Sequence, residues 1–213
     1  PVVGAAVSSG GATVRTGEDG AFLVRRAVPG DLSVTRPGWE TLDVAWDGSA
    51  GHLPLTLSPR VVKAAHVGGD AAARAWDDVV TLVEKTELTG IMLDLKDESG
   101  TVFYPSAVPL AAGATRPLFD LPALAADLAE RDVYLIGRVV AFQDPLAAAA
   151  RPDIAVTDPA TGGPFHRNGQ TFLDPTDPGA RAYALDLADE ACAAGVDEVQ
   201  FDYVRYPDGF GGA

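Results

Sequence analysis

From Val61 onward, four strand-length apolar runs alternate with segments of helical periodicity, and this alternation constrains the fold more than any other feature. The runs are Val61-Val62-Lys63-Ala64-Ala65-His66-Val67, Gly90-Ile91-Met92-Leu93-Asp94-Leu95, Val133-Tyr134-Leu135-Ile136-Gly137-Arg138-Val139-Val140 and Val199-Gln200-Phe201-Asp202-Tyr203. Each is nearly continuous in apolar residues, as strands covered on both faces are. After the first run, Trp76, Val79, Val80 and Val83 fall at helical spacing, with Asp77, Asp78, Glu84 and Lys85 on the opposite face. Asp120 is placed to cap a second helix, with Pro122 in its first turn and Leu121, Leu124 and Leu128 as its stripe. Asp177-Pro178 opens a third helix through Tyr183, Leu187 and Ala191, which stops at Gly195. Strand and helix in strict succession imply parallel strands joined by helical crossovers. An open doubly wound sheet and half of a (β/α) barrel fit this count equally. No glycine-rich phosphate loop follows any strand, which weakens a nucleotide-binding reading, and no Gly-x-Ser-x-Gly elbow supports an α/β hydrolase. Residues 141–176 form too long a connection for an ordinary loop and are expected to carry function.

Residues 1–59 keep another rhythm. Val3, Ala5 and Val7 alternate with small residues. Short strand candidates follow at Ala12-Thr13-Val14-Arg15-Thr16, Ala21-Phe22-Leu23-Val24, Leu32-Ser33-Val34, Leu42-Asp43-Val44-Ala45-Trp46 and Leu53-Pro54-Leu55-Thr56-Leu57. Glu18-Asp19-Gly20 and Pro29-Gly30-Asp31 punctuate them as turns, so the segment reads as a small antiparallel sandwich. Trp39 and Trp46 are read as core or edge packing rather than a sugar-stacking surface.

The formal net charge of −14 argues against nucleic acid or an anionic membrane surface as partner, since both need clustered Lys and Arg. No run of eighteen apolar residues is present, so membrane insertion is not expected. Cys192 is the single cysteine and cannot form an internal disulfide; with three scattered histidines it makes no zinc site. Asp94, Asp97 and Glu98 lack the alternating ligands and glycine of a calcium loop, and neither metal nor cofactor is expected. The chain opens at Pro1 without a basic-then-apolar leader, so either a signal peptide has been removed or these residues are a fragment.

The strands end in polar residues. The second gives Asp94, Lys96, Asp97 and Glu98; the third gives Arg138, then Gln143 and Asp144; the fourth gives Asp202, Tyr203 and Arg205. In a parallel barrel these positions share one rim, where carboxylates beside arginines can bind sugar hydroxyls or act as nucleophile and acid. Asp94 and Asp202 are the catalytic candidates, because a buried carboxylate without purpose is costly. The competing readings are a structural salt bridge of Asp94 with Lys96 or Arg138, a solvated turn at Asp97-Glu98, and a core histidine at His66. His166 lies in a polar loop and reads as exposed.

The strand-end motifs resemble the DUF4015 family of glycoside hydrolase domains, within the TIM-barrel glycosidase superfamily. The matching stretches are Thr86-Glu87-Leu88-Thr89-Gly90-Ile91-Met92-Leu93-Asp94-Leu95-Lys96-Asp97, Val102-Phe103-Tyr104 with Val108-Pro109-Leu110-Ala111, and Tyr134-Leu135-Ile136-Gly137-Arg138-Val139-Val140-Ala141-Phe142-Gln143-Asp144-Pro145-Leu146. Arg151-Pro152-Asp153, Leu173-Asp174-Pro175 and Asp197-Glu198-Val199-Gln200-Phe201-Asp202-Tyr203-Val204-Arg205-Tyr206-Pro207-Asp208 complete the series, and the last is the most specific. The resemblance implies a (β/α)8 barrel directed at polysaccharide. It also implies that Asp202, at the end of the fourth strand, is the nucleophile. Asp94, Lys96, Arg138, Asp174 and Arg205 match motif positions and would line the pocket; Asp97, Asp144, Tyr203 and His66 join them as substrate-binding candidates. Phe172 stands where the family often has Trp, and His66-Val67-Gly68-Gly69 matches only loosely. The first segment is similar to carboxypeptidase regulatory-like (transthyretin-like) β-sandwich domains, on Val3-Gly4-Ala5 with Val7, Thr16-Gly17-Glu18-Asp19-Gly20-Ala21-Phe22 and Pro37-Gly38-Trp39.

The expectation is therefore an α/β chain, with a sandwich over residues 1–59 and about four units of a partial (β/α)8 barrel over residues 60–213. It would be a retaining glycoside hydrolase acting on a polysaccharide or oligosaccharide, extracellular or at the cell envelope. Because the chain ends at Ala213 after the fourth strand, the barrel reads as truncated. Its acid/base partner is then expected outside these residues, and the residues alone are expected to be inactive. A natural half that dimerises to close a barrel is the alternative for the fold. A non-catalytic carbohydrate-binding or cell-envelope scaffold is the alternative for the function.

Overall fold

A computed structural model describes residues 1–25, 28–49 and 51–210. The chain divides into two compact units, Pro1–Val61 and Val62–Ala213.

The first unit holds four antiparallel strands, β1 (Ala6–Ser9), β2 (Ala12–Arg15), β3 (Gly30–Thr35) and β4 (Leu42–Trp46), in the order β2-β1-β3-β4. The β1–β2 hairpin turns on Gly10 and Gly11, whose φ angles of 54° and 83° suit the tight turn that matches strand twist. Ala5, Val7, Leu32 and Val34 form the buried face. Two expected strands are not in a ladder. Phe22 and Val24, and Leu53, Leu55 and Leu57, still alternate inward and pack on that face, but their segments carry no strand pairing. In the second of these, Pro54 removes a ladder donor. The described residues of this unit thus hold one sheet, covered by extended-pattern segments instead of a second sheet. A cavity of about 820 Å3, lined in part by Trp39 and Trp46, lies within this unit.

The second unit contains β5 (Ala64–Val67), α1 (Gly69–Lys85), β6 (Gly90–Lys96), α2 (Leu121–Glu130), β7 (Tyr134–Val140), α3 (Pro145–Ala150), β8 (His166–Arg167), β9 (Gln170–Thr171), α4 (Pro178–Ala193) and β10 (Glu198–Asp202). β5, β6, β7 and β10 pair in parallel and in chain order. Every crossover therefore steps in one direction, without the reversal of a doubly wound sheet, and right-handed crossovers of that kind put their helices on one face. Ile91, Leu93, Leu95 and Leu135 of the sheet share a core with Val80, Val83, Leu124, Leu128 and Leu187 of the helices. Gly137 in β7 leaves room for Leu95, whose Cδ1 a Cβ there would meet at 2.6 Å.

The helix starts follow from their caps. Asp120 accepts from Ala123 N at 3.1 Å, and Asp177 from Gly179 N and Ala180 N at 2.7 and 3.1 Å. Residues 141–176, expected as a long loop, are structured: α3, a 3-10 turn at Pro152–Ile154 and the hairpin β8–β9 lie within them. Bridges Gln143↔Phe172 and Ala155↔Leu173 run the two arms of this insertion side by side. Among the described residues no helix is long and apolar enough to cross a membrane.

Candidate active site

The site is built at the carboxyl ends of β6, β7 and β10, and a β-bulge decides which side chains reach it. β6 pairs with β7 from Gly90↔Tyr134 to Asp94↔Arg138, then slips so that Lys96 lies across from Val139. The extra residue breaks the period-two alternation. Asp94 stays on the side of Arg138, whereas Lys96 turns toward the helices. There its Nζ donates to Val140 O at 2.6 Å and pairs with Asp144 Oδ2 at 2.9 Å, over the ring of Tyr183 in α4. Their side chains are 1% and 0% exposed. Lys96 and Asp144, expected to line the pocket, instead form an interior ion pair out of reach of a substrate. Burial pushes the Lys96 ammonium below its ordinary value, against the opposing pull of Asp144, Asp97 and Glu98. Asp144 also caps α3, its Oδ1 accepting from Ala147 N at 2.7 Å.

Arg138 is the hub of what remains. Its side chain is 6% exposed, and it holds three carboxylates. Nη1 donates to Asp94 Oδ1 at 2.9 Å, Nη2 to Glu98 Oε1 at 2.6 Å, and Nε to Asp202 Oδ2 at 2.9 Å. Nη2 also lies 2.8 Å from Asp202 Oδ2. His66 Nε2 sits 2.8 Å from Asp94 Oδ1, so that oxygen meets both a guanidinium and an imidazole. Asp202 Oδ1 accepts from Tyr203 N at 2.7 Å, and Tyr203 adopts a left-handed φ of 51° directly after the strand. A left-handed non-glycine residue is a strained conformation that the surrounding contacts must hold.

The electrostatics follow from these contacts. Burial works to raise the Asp202 carboxyl, but the Tyr203 N–H and the Arg138 guanidinium outweigh it and hold Asp202 below its ordinary value. Glu98 behaves alike: burial raises it, Arg138 and its own backbone lower it further. For Arg138, burial disfavours the charge, yet Glu98, Asp94 and Asp202 together raise its pKa. The Asp202 side chain is 41% exposed, so an ionised, oriented carboxylate faces solvent at the strand end. Such a group can attack an electrophilic carbon or stabilise positive charge, but it cannot donate a proton.

The other predicted residues divide. Arg205 lies between the rings of Phe172 and Tyr203, 5.4 and 5.3 Å from their centroids, and pairs with Asp208 at 2.9 Å. Asp174 accepts from Thr176 N at 2.8 Å and from Tyr206 Oη at 3.1 Å. Tyr203 joins this second group to the Asp202 end of the first. Asp97 belongs to neither: its carboxylate closes its own turn on Ser99 N at 3.0 Å and Thr101 N at 3.3 Å. Its role is that of a local Asx turn. Glu98, for which a rim position and a solvated turn both stayed open, is a full member of the Arg138 cluster. Its position four residues beyond Asp94, in the turn after β6, gave no signal of that partner. Tyr206, a motif residue with no predicted role, supplies the hydroxyl that Asp174 accepts. Among the described residues no group of three His, Cys, Asp or Glu is arranged to hold a metal ion.

A family model, DUF4015, described as "Putative glycosyl hydrolase domain", matches residues 64–212. The chain belongs to this family. The DUF4015 match takes in the whole Arg138 cluster from His66 to Asp202, together with Asp174 and Arg205. Among solved structures, the chain is similar to a hypothetical protein from Ruminiclostridium thermocellum ATCC 27405. Identity there is 30% and the TM-score 0.63, over 67% of this chain and 77% of that one. It is also similar to the α-galactosidase from Lactobacillus brevis, at 11% identity and TM-score 0.46 over 61% of this chain and 18% of that one. The cycloalternan-degrading enzyme from Trueperella pyogenes is similar at 14% identity and TM-score 0.40, over 65% and 24% of the two chains. No curated protein matches the sequence.

Proposed function

We propose that the DUF4015 unit is the nucleophile-bearing part of a retaining glycoside hydrolase acting on a polysaccharide or oligosaccharide, with Asp202 as nucleophile. The observation that carries this reading is the state of Asp202. It is ionised below its ordinary pKa, fixed by Arg138 and the Tyr203 N–H, and exposed at a strand end inside the family's matched residues. Arg138, Asp94 and His66 position and balance that charge, and Tyr203, Arg205 and Asp174 border it. The acid/base partner is then expected outside the described residues. Glu98 shares Arg138 Nη2 with Asp202 and is close enough for the roughly 5–5.5 Å spacing of retaining pairs. Its ion pair with Arg138, however, keeps it deprotonated, the wrong state for an acid.

The parallel strands in chain order support a partial (β/α)8 barrel of about four units over residues 60–213. The antiparallel sheet and its alternating cover support a carboxypeptidase regulatory-like sandwich over residues 1–59, acting as a spacer. An extracellular or cell-envelope location accords with a polysaccharide substrate. A second reading, a non-catalytic carbohydrate-binding or cell-envelope scaffold, is favoured by one observation: Arg138 holds both Asp202 and Glu98 below their ordinary values, whereas a general acid must carry a proton.

An activated substrate separates the two. A 2,4-dinitrophenyl glycoside needs no general acid, because its leaving group departs as a stable anion. Asp202 would form a bond from its carboxylate oxygen to C1 while the C1–oxygen bond to dinitrophenolate breaks. With gluco-, galacto- and N-acetylglucosaminyl donors, one burst of dinitrophenolate per chain and a glycosyl adduct on Asp202 by peptide mass spectrometry are expected. Asp202→Asn should abolish both. A burst that persists in Asp202→Asn, or no burst with any donor, would leave the binding reading in its place.

A further inference from the structure

We propose that the aromatic pair Tyr206 and Phe210 forms a pyranose-binding subsite for the glycan that the Asp202 site would take. The proposal rests on the carbohydrate-directed reading of that site and names a subsite for it. The two rings are nearly parallel, 5.3 Å apart at an interplanar angle of 10°, and Phe165 meets Phe210 edge-on at 5.5 Å. Tyr206 and Phe210 remain 38% and 39% exposed.

These rings are not loose surface hydrophobes, because the segment after β10 is pinned at several points to the insertion between β7 and α4. Tyr206 Oη donates to Asp174 Oδ1, and Asp174 is itself held by Thr176. Arg205 stacks on Phe172, and the Arg167 guanidinium lies directly against Gly209, where any Cβ would collide with it. Gly209 has a φ of +78°, which also favours glycine. An aromatic pair held in place in this way keeps apolar ring surface open to solvent at little further entropic cost. Asp174 offers an acceptor beside it and Arg167 a donor. A pyranose has the matching chemistry: an apolar C–H face and a rim of hydroxyls. A nucleobase could also stack, but a nucleic acid's phosphates would meet a chain of net charge −14.

Titration calorimetry with cellopentaose, chitopentaose and isomaltopentaose tests the subsite on the full chain. At least one should bind, and Tyr206→Ala and Phe210→Ala should each weaken it about tenfold, as loss of an aromatic stacking contact implies. Tyr206→Phe keeps the ring and should stay within about threefold. Thermal unfolding accompanies each variant; if Tyr206→Ala melts early, Phe210→Ala decides. Wild-type affinity in both alanine variants overturns the subsite, and so does the absence of binding to all three sugars. The dinitrophenolate burst, measured in parallel, keeps the two ideas apart. If it survives while the subsite fails, Asp202 remains the nucleophile; if it is absent while the tenfold losses stand, only the nucleophile falls.

Discussion

Lys96→Met keeps the reach of the side chain and removes its charge, leaving Asp144 fully buried without its cation. At the observed 2.9 Å separation, an effective dielectric of about 20 gives an attraction of about 6 kcal/mol. Desolvation costs several kcal/mol for each ion, so the intact pair contributes little net stability. The single substitution is different, because the orphaned carboxylate keeps its desolvation penalty and loses the compensating charge. The expected loss is about 3–5 kcal/mol, a large part of a typical domain's stability of about 5–15 kcal/mol. Asp144→Asn added to Lys96→Met should recover about 2 kcal/mol, since a neutral amide can still cap Ala147 N. Urea unfolding followed by far-UV circular dichroism measures this, because every helix among the described residues lies in the second unit. A loss below about 1 kcal/mol, or a double variant no more stable than the single one, would refute the argument.

Three further outcomes follow from the same contacts. Asp202 and Glu98 are held below their ordinary values of 3.8 and 4.5, so their stabilising contribution is present above those values and lost as pH falls beneath them. Arg138→Met should therefore destabilise by about 3 kcal/mol at pH 7 and much less at pH 3, read from melting midpoints; equal losses at both would count against the hub. Gly100→Ala would place a Cβ against Asp144 Oδ1 at a backbone φ of +84°, and should lower urea stability by about 2 kcal/mol or more. Asp177→Ala should cost about 1 kcal/mol through the lost cap of α4, whereas Asp177→Asn should cost only a few tenths; equal effects would show that the cap is not the cause.

Much of the scaffold was legible in the residues. Period-3.6 stripes, Asp120 and Asp177 as caps and near-continuous apolar runs specify local structure through contacts a few residues apart, and the four parallel strands and the three expected helices of the second unit formed close to their expected places. The strand-end positions of Asp94, Arg138 and Asp202 were legible for the same reason. The pairing of those charges was not, because it depends on which chain ends the sheet brings together. One guanidinium collects carboxylates from β6, the turn after it and β10, and nothing in the spacing selects Glu98 over Asp97. Lys96 shows the limit most clearly. Strand alternation alone cannot announce the bulge after Asp94, and that one extra residue sends the lysine from the expected pocket to the interior, beside Asp144. Leu53, Leu55 and Leu57 make the same point from the other side: alternation fixed which way they face, but ladder pairing needed a partner strand. The sequence by itself determined the order of elements and the residue types at their ends. The tertiary structure decided which of those residues face solvent together and which are buried, because burial and ion pairing are properties of neighbours far apart in the chain.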